Sequence, residues 1–251
     1  MEPTRTARLT VVGMGVTTIL SPHTDDAVLS LWRTLTGDRK VRVVNLFTGV
    51  PGGPELSPWD RLTGASDPAT RCAERIAEDG RALALARREA VNLGFLDVQY
   101  RNGERPLDAL VQRLGEELPD DSLVLAPAAL GVHADHWLAR AAALELRRRG
   151  TNVALYADVP HATSFGWPTA ITGERAHSEL RAEVTWEEAM RGTGISLATL
   201  EPEIAVLSDA ERAAKLAAVR CYRTQLAALE ASFSILSRPE VLGHEVIWPL
   251  P

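Results

Sequence analysis

Along the chain, short apolar runs rich in Val, Ile and Leu alternate with longer segments whose apolar positions recur every three or four residues. The short runs predict strands at 16–20 (VTTIL), 41–49 (VRVVNLFTG), 90–97 (AVNLGFLD), 122–130 (SLVLAPAAL) and 151–160 (TNVALYADVP). The longer segments predict helices at 26–35, 71–88, 107–118 and 135–149. Strands that read as continuous apolar runs and alternate with helices predict an α/β fold. Its sheet is mostly parallel, with helices on both faces, a Rossmann-like arrangement.

Beyond residue 160 the alternation loosens. One long helix is predicted over 208–230, with Ser208 as its cap and Glu211 three residues on, a capping-box pair. The terminal EVIWPLP predicts a short strand. The segment 50–70 holds Pro51, Gly52, Gly53, Pro54, Pro58 and Gly64, and reads as a long loop of the kind that carries function. With neither a repeat nor a low-complexity linker, the chain reads as a single domain over 1–251. Its core falls at about 16–160, followed by a helical and substrate-loop region at about 161–251.

Composition narrows the partners. Hydrophobic residues at 45% and charged residues at 24% are ordinary for a globular protein. A net charge of -6 argues against nucleic acid as the main partner. Of 27 basic residues only Lys40 and Lys215 are lysine, a skew that points to a GC-rich genome. Cys72 and Cys221 are too few for a disulfide framework. Arg5 and Arg8 followed by LTVVGMGVTTIL imitate a signal peptide, but cleavage there would remove the first strand, so a cytoplasmic protein is expected. No stretch approaches the roughly 18 uninterrupted apolar residues of a membrane span.

In an open α/β sheet, ligands bind beyond the carboxyl ends of the strands. Those ends carry His23, Asp25 and Asp26, then Thr48 and Gly49, then Asp97, then His133, Asp135 and His136. Half of the six histidines therefore gather there with four aspartates. A catalytic zinc typically takes three His, Asp or Glu ligands and leaves a position open, and His23, Asp26 and either His133 or His136 would supply that set. The bland alternative is two capped turns, with Asp26 and Asp135 each starting a helix.

SPHTDDAVLS (21–30) followed by HADH (133–136) resembles the PHxDD…HxxH pattern of the PIG-L/LmbE-like deacetylases, zinc-dependent hydrolases of N-acetylglucosamine-type amides. The likeness extends to RIAEDGRALA (75–84), LGFLD (93–97), YADVPHA (156–162) and VRCYRTQL (219–226), and so over most of 16–250. It implies a Zn2+ ion held by His23, Asp26 and His136, Asp25 as general base and His133 as the histidine that polarises the carbonyl. Asp135 is then expected to hold His133 in its protonated form. Thr24, Ala27 and Ala134 depart from the family pattern, which bears on loop shape and substrate choice but removes no ligand.

Arg75 and Asp97 are candidates for gripping sugar hydroxyls, against the plainer readings of a salt bridge from Arg75 to Asp79 and a strand-end cap. Trp59, in the long loop, is the candidate for stacking on a sugar, whereas Trp32 and Trp137 read as core. His161 reads equally as pocket or surface, and His177 and His244 as structural. The expected reaction is removal of an N-acetyl or other N-acyl group from an amino-sugar conjugate. The alternatives are an amidase of glucosamine-containing thiol conjugates and a metal-free sugar-binding relative. Oligomeric state, acyl group and aglycone have no readable code.

Overall fold

The computed structural model describes residues 15–173 and 182–251. Arg5, Arg8 and His177 lie outside them. In chain order the strands are β1 (Thr17–Ser21), β2 (Val41–Asn45), β3 (Ala90–Asn92), β4 (Leu123–Pro127), β5 (Asn152–Tyr156), β6 (Glu203–Val206) and β7 (His244–Pro249). The helices are α1 (Asp26–Ser30), α2 (Trp32–Thr36), α3 (Pro58–Leu62), α4 (Pro68–Leu85), α5 (Leu107–Glu117), α6 (Ala134–Arg148), α7 (Thr169–Thr172), α8 (Ala182–Met190), α9 (Asp209–Val219), α10 (Arg223–Phe233) and α11 (Pro239–Gly243).

These strands form one sheet in the order β3-β2-β1-β4-β5-β7-β6. The first five are parallel, and β7 and β6 add antiparallel at one edge. The fold is thus the expected α/β sheet. Ile19, Leu20, Val43, Val44, Val124 and Leu155 are sealed from solvent, as strands covered on both faces require. All five parallel strands end on one side, and the order reverses around β1 and β4, which opens a crevice between their carboxyl ends.

Several predicted elements are shorter or broken. The 26–35 helix is two short helices parted at Leu31, whose φ of -137° is not helical. The strand at 90–97 stops at Asn92, because Gly94 turns the chain through φ +76°. The loop at 50–70 contains α3, and α4 begins within it at Pro68, capped by Asp67. The helix at 208–230 breaks between α9 and α10, although Ser208 and Glu211 form the expected capping box. That break frees the Tyr222 side chain to turn inwards, and Tyr222 is buried. Trp137 is exposed rather than core, its indole donating to the Gly131 carbonyl at 3.0 Å, while Trp32 is buried as expected. Lys215 on α9 and Glu245 on β7 form a buried ion pair at 3.0 Å, tying the outer helix to the antiparallel edge.

Candidate metal and active site

The end of β1 is organised by its own backbone. Ser21 Oγ accepts from the Ala27 N–H at 3.0 Å, and Asp26 Oδ2 accepts from the His23 N–H at 2.8 Å. This tight turn leads directly into α1, with Asp25 as its N-cap residue. As a result Asp26 points inwards beside His23, while Asp25 faces an open cavity. Asp26 Oδ2 lies 3.4 Å from His23 Nδ1 and 3.4 Å from His136 Nε2. His23, His133 and His136 each offer a ring nitrogen within 4.8 Å of the others, so His23 and His136 are close enough to share one ion.

His136 carries the clearest mark of an absent partner. Its Nδ1 lies 2.9 Å from Asp158 Oδ2, and its Nε2 is buried with no hydrogen-bond partner. A buried polar atom is rarely left unsatisfied. A histidine held by a carboxylate through one nitrogen, with the other free, is the usual dress of a metal ligand. His23, Asp26 and His136 therefore fit a divalent cation. Asp158 is itself fixed by the Leu130 N–H at 3.0 Å. It escaped the sequence reading although it stands just past a strand end.

His133 caps α6, its Nδ1 accepting from the Asp135 N–H at 3.3 Å. That leaves the ring proton on Nε2, and His133 lines the cavity. The expectation for Asp135 needs correction. Its carboxylate does not grip His133: it lies 3.1 Å from His23 Nε2, pairs with Arg101 at 2.5 Å and accepts from the Val98 N–H at 3.0 Å. The helix start turns the Asp135 side chain across the sheet toward His23, so it is His23 that it orients.

The cavity above these groups measures about 160 Å3. Asp97, Arg75 and Trp59 all line it, together with His161, Gln225 and Phe233. Arg75 pairs with Asp60 at 2.5 Å rather than with Asp79, and Tyr100 donates to the same Asp60. Trp59 donates from its indole to Gln225 Oε1 at 2.6 Å. Asp97 accepts from the Gln99 N–H at 2.9 Å and stands 3.7 Å from His23. His161 belongs to the pocket, its ring 4.7 Å from that of His136 and 5.3 Å from that of His133. Gly131 makes room for it, since a Cβ there would lie 2.7 Å from His161 Cβ.

The charges follow from burial and neighbours. Burial, with the Asp26 charge adding, pushes Asp25 up to about 6. For Asp26, burial is outweighed by His136 and His23, and its carboxyl stays well below the usual range. Burial and then the like charges of His23 and His136 push His133 down to about 3, so it is a neutral imidazole. For His136, burial is overcome by the Asp26 and Asp158 carboxylates, which raise it. Acidic and basic tendencies are thus set apart within a few ångströms, the pattern of catalytic sites.

The fold recurs in solved deacetylase structures. The A40926 pseudoaglycone deacetylase Dbv21 aligns over 94% of this chain and 96% of its own, at 27% identity and a TM-score of 0.66. A triple mutant of the deacetylase of the teicoplanin biosynthetic pathway aligns over 94% and 97%, at 25% identity and a TM-score of 0.68. A zinc-inhibited form of the teicoplanin deacetylase aligns over 93% and 97%, at 22% and 0.62. N,N'-diacetylchitobiose deacetylase from Pyrococcus horikoshii aligns over 87% and 74%, at 17% and 0.52. The fold is that of the PIG-L/LmbE-like deacetylases. No protein-family model matches the chain, and no curated protein sequence does. Among the described residues no helix is long and apolar enough to cross a membrane.

Proposed function

We propose that this protein is a metal-dependent amide hydrolase that removes an N-acetyl or other N-acyl group from a small amino-sugar conjugate. The observation that carries the reading is the buried His136 Nε2, which has no hydrogen-bond partner and lies with His23 beside Asp26, below a cavity that Asp25 faces. The deacetylase neighbours at 25% and 27% identity support the reaction class. His23, Asp26 and His136 would hold the ion, and the N/O donor set suits zinc. When bound, such an ion supplies Lewis acidity, which acidifies a water and polarises a carbonyl.

The remaining chemistry belongs to the side chains. Asp25, raised to about 6, is ionised at neutral pH yet close enough to it to accept and return a proton efficiently. It takes one proton from the attacking water and delivers it to the amide nitrogen as the C–N bond breaks, leaving a carboxylic acid and a free amine, which at neutral pH exchange a proton to become carboxylate and ammonium. His133, with Nδ1 committed to the Asp135 N–H, has Nε2–H free to donate to the carbonyl oxygen as it gains charge. Asp97, Arg75 and Trp59 line the route by which a sugar ring would enter. Arg75 Nε is buried without a partner, a donor available to a hydroxyl.

The test is a product-amine assay with a panel of N-acyl glucosaminides, including glycosylated natural products and thiol conjugates. Metal-stripped protein and protein reloaded with zinc or another divalent ion are compared. Amine release that disappears on stripping and returns on reloading supports the reading. A protein that binds no metal and releases no amine from any member of the panel overturns it.

A further inference from the structure

Beneath the turn that carries His23 and Asp25 lies a polar chain that the reaction does not use. Asp79, on α4, is buried, 2% exposed. Its Oδ2 accepts from Asn45 Nδ2 at 2.7 Å, and its Oδ1 lies 2.9 Å from Tyr222 Oη. The same tyrosine oxygen lies 3.2 Å from the carbonyl oxygen of Thr24, the residue between His23 and Asp25. Tyr222 Oη thus has two oxygen neighbours and one proton.

Only one protonation pattern satisfies all three groups. With Asp79 ionised, its carboxylate and the Thr24 carbonyl are both acceptors competing for the tyrosine proton, and one buried oxygen goes without a donor. With Asp79 neutral, its O–H donates to Tyr222 Oη and the tyrosine donates to Thr24. The ionisable groups facing Asp79 are Asp25, from the turn, and Tyr222. On its own helix Arg75 is turned to Asp60, and Glu78 to Thr224. No cation offsets a charge on Asp79 among these neighbours, and the negative charge of Asp25 opposes one.

We propose that neutral Asp79 is a positioning residue: it hydrogen-bonds to Tyr222 Oη, so that the tyrosine proton is committed to the Thr24 carbonyl and the turn presenting His23 and Asp25 is fixed. What the turn presents rests on the proposed function; the hydrogen-bond chain itself does not. Burial raises Asp79 to about 7, against the hydrogen bonds of Asn45 and Tyr222 and with the Asp25 charge adding, so the chain switches near neutrality. Loss of the Asp79 proton draws the tyrosine proton away from Thr24 and loosens the turn on the alkaline side. The break between α9 and α10 acquires a reason, since a continuous helix would not turn Tyr222 toward Thr24.

The test compares wild type, Asp79→Asn and Tyr222→Phe by infrared spectroscopy, by zinc affinity from chelator competition and by turnover, each from about pH 6 to about pH 8.5. An asparagine amide donates to Tyr222 and accepts from Asn45 at every pH, as the neutral acid does. Wild type should show a buried protonated-carboxyl band that fades near pH 7 and that Asp79→Asn lacks. Zinc affinity and turnover of wild type should fall on the alkaline side about three- to tenfold more than those of Asp79→Asn, the worth of one hydrogen bond. Tyr222→Phe should be weakened at every pH and lose that difference. Identical pH profiles for wild type and Asp79→Asn, or no such band, overturn the proposal. So does Asp79→Asn as impaired at pH 6 as Tyr222→Phe. If no substrate is turned over, the function reading fails, while the infrared and zinc measurements still decide this one.

Discussion

Asp158 Oδ2 stands 2.9 Å from His136 Nδ1, on the side of the ring away from Asp26. That single contact fixes the tautomer of His136: with Nδ1–H donated to the carboxylate, Nε2 keeps a lone pair directed at the point where Asp26 and His23 meet. The carboxylate is sealed from water and held by the Leu130 N–H, so it cannot swing away.

Asp158→Ala is therefore expected to weaken metal binding by about 10- to 100-fold, the usual cost of losing such a support. Chelator competition on the purified variant checks it. An unchanged affinity would mean that His136 is not a ligand.

His133 reaches the cavity with a neutral ring whose proton sits on Nε2. His133→Ala should keep metal content and lower turnover by about 10²–10³-fold, the loss seen when one donor to a developing oxyanion is removed. His133→Gln, which retains an N–H donor, should recover part of it. Steady-state kinetics paired with metal analysis separates this from a ligand role, in which metal content would fall as well.

The strand ends that gather the His and Asp side chains were legible in the sequence because parallel strands are continuous apolar runs and their polar termini stand out. His23 and His136 both lie beside Asp26, the grouping that the family resemblance implied, whereas spacing alone left His133 and His136 open. The orientation of Asp135 was not legible: sequence adjacency to His133 suggested contact, but a helix start sends the side chain of the second residue elsewhere, here to His23 and Arg101. Asp158 was hidden, and His161 left open between pocket and surface, for a different reason. Each follows β5 in a segment whose path depends on packing against α6 and α10, and no local periodicity records that. Likewise the 208–230 pattern is helical throughout, and the inward hydrogen bonds that Tyr222 makes at the break, to Thr24 and Asp79, leave no trace in local periodicity.

The buried Lys215–Glu245 pair makes a stability prediction independent of catalysis. Burial lowers the Lys215 ammonium from its ordinary range while Glu245 pulls the other way. Lys215→Ala should destabilise by about 3–5 kcal/mol because it strands a buried carboxylate. The double variant Lys215→Met with Glu245→Leu should be much milder. Denaturant titration of wild type, Lys215→Ala, Lys215→Met, Glu245→Leu and the double variant checks it, and additive single effects in the double variant would contradict the pairing.

Asp79 sets a pH dependence of folding stability. Its folded value of about 7 lies above that of an unfolded aspartate, so the folded state keeps a proton that the unfolded state has lost. The contribution is full at acid pH, is lost as pH rises from about 4 to about 7, and then levels off. The slope is at most about 1.4 kcal/mol per pH unit. Relative to Asp79→Asn, wild type should lose stability across that window in urea titrations. A parallel pair of stability curves would show that Asp79 is ionised in the folded protein.

Asp25 and Asp26 are adjacent in sequence, but α1 begins between them and sends them to different tasks, so their amides should fail differently. Asp25 faces the cavity and is raised by burial, whereas Asp26 is pinned between His23 and His136 and held low. Asp25→Asn should retain metal and substrate binding and lose about 10²–10⁴-fold in turnover, because an amide cannot take the proton of the attacking water. Asp26→Asn should instead lose metal affinity and regain part of its activity when metal is supplied in excess. Metal analysis and kinetics at two metal concentrations distinguish the pair. Near-normal turnover by metal-loaded Asp25→Asn would remove the base from the mechanism while leaving the fold and the metal site intact.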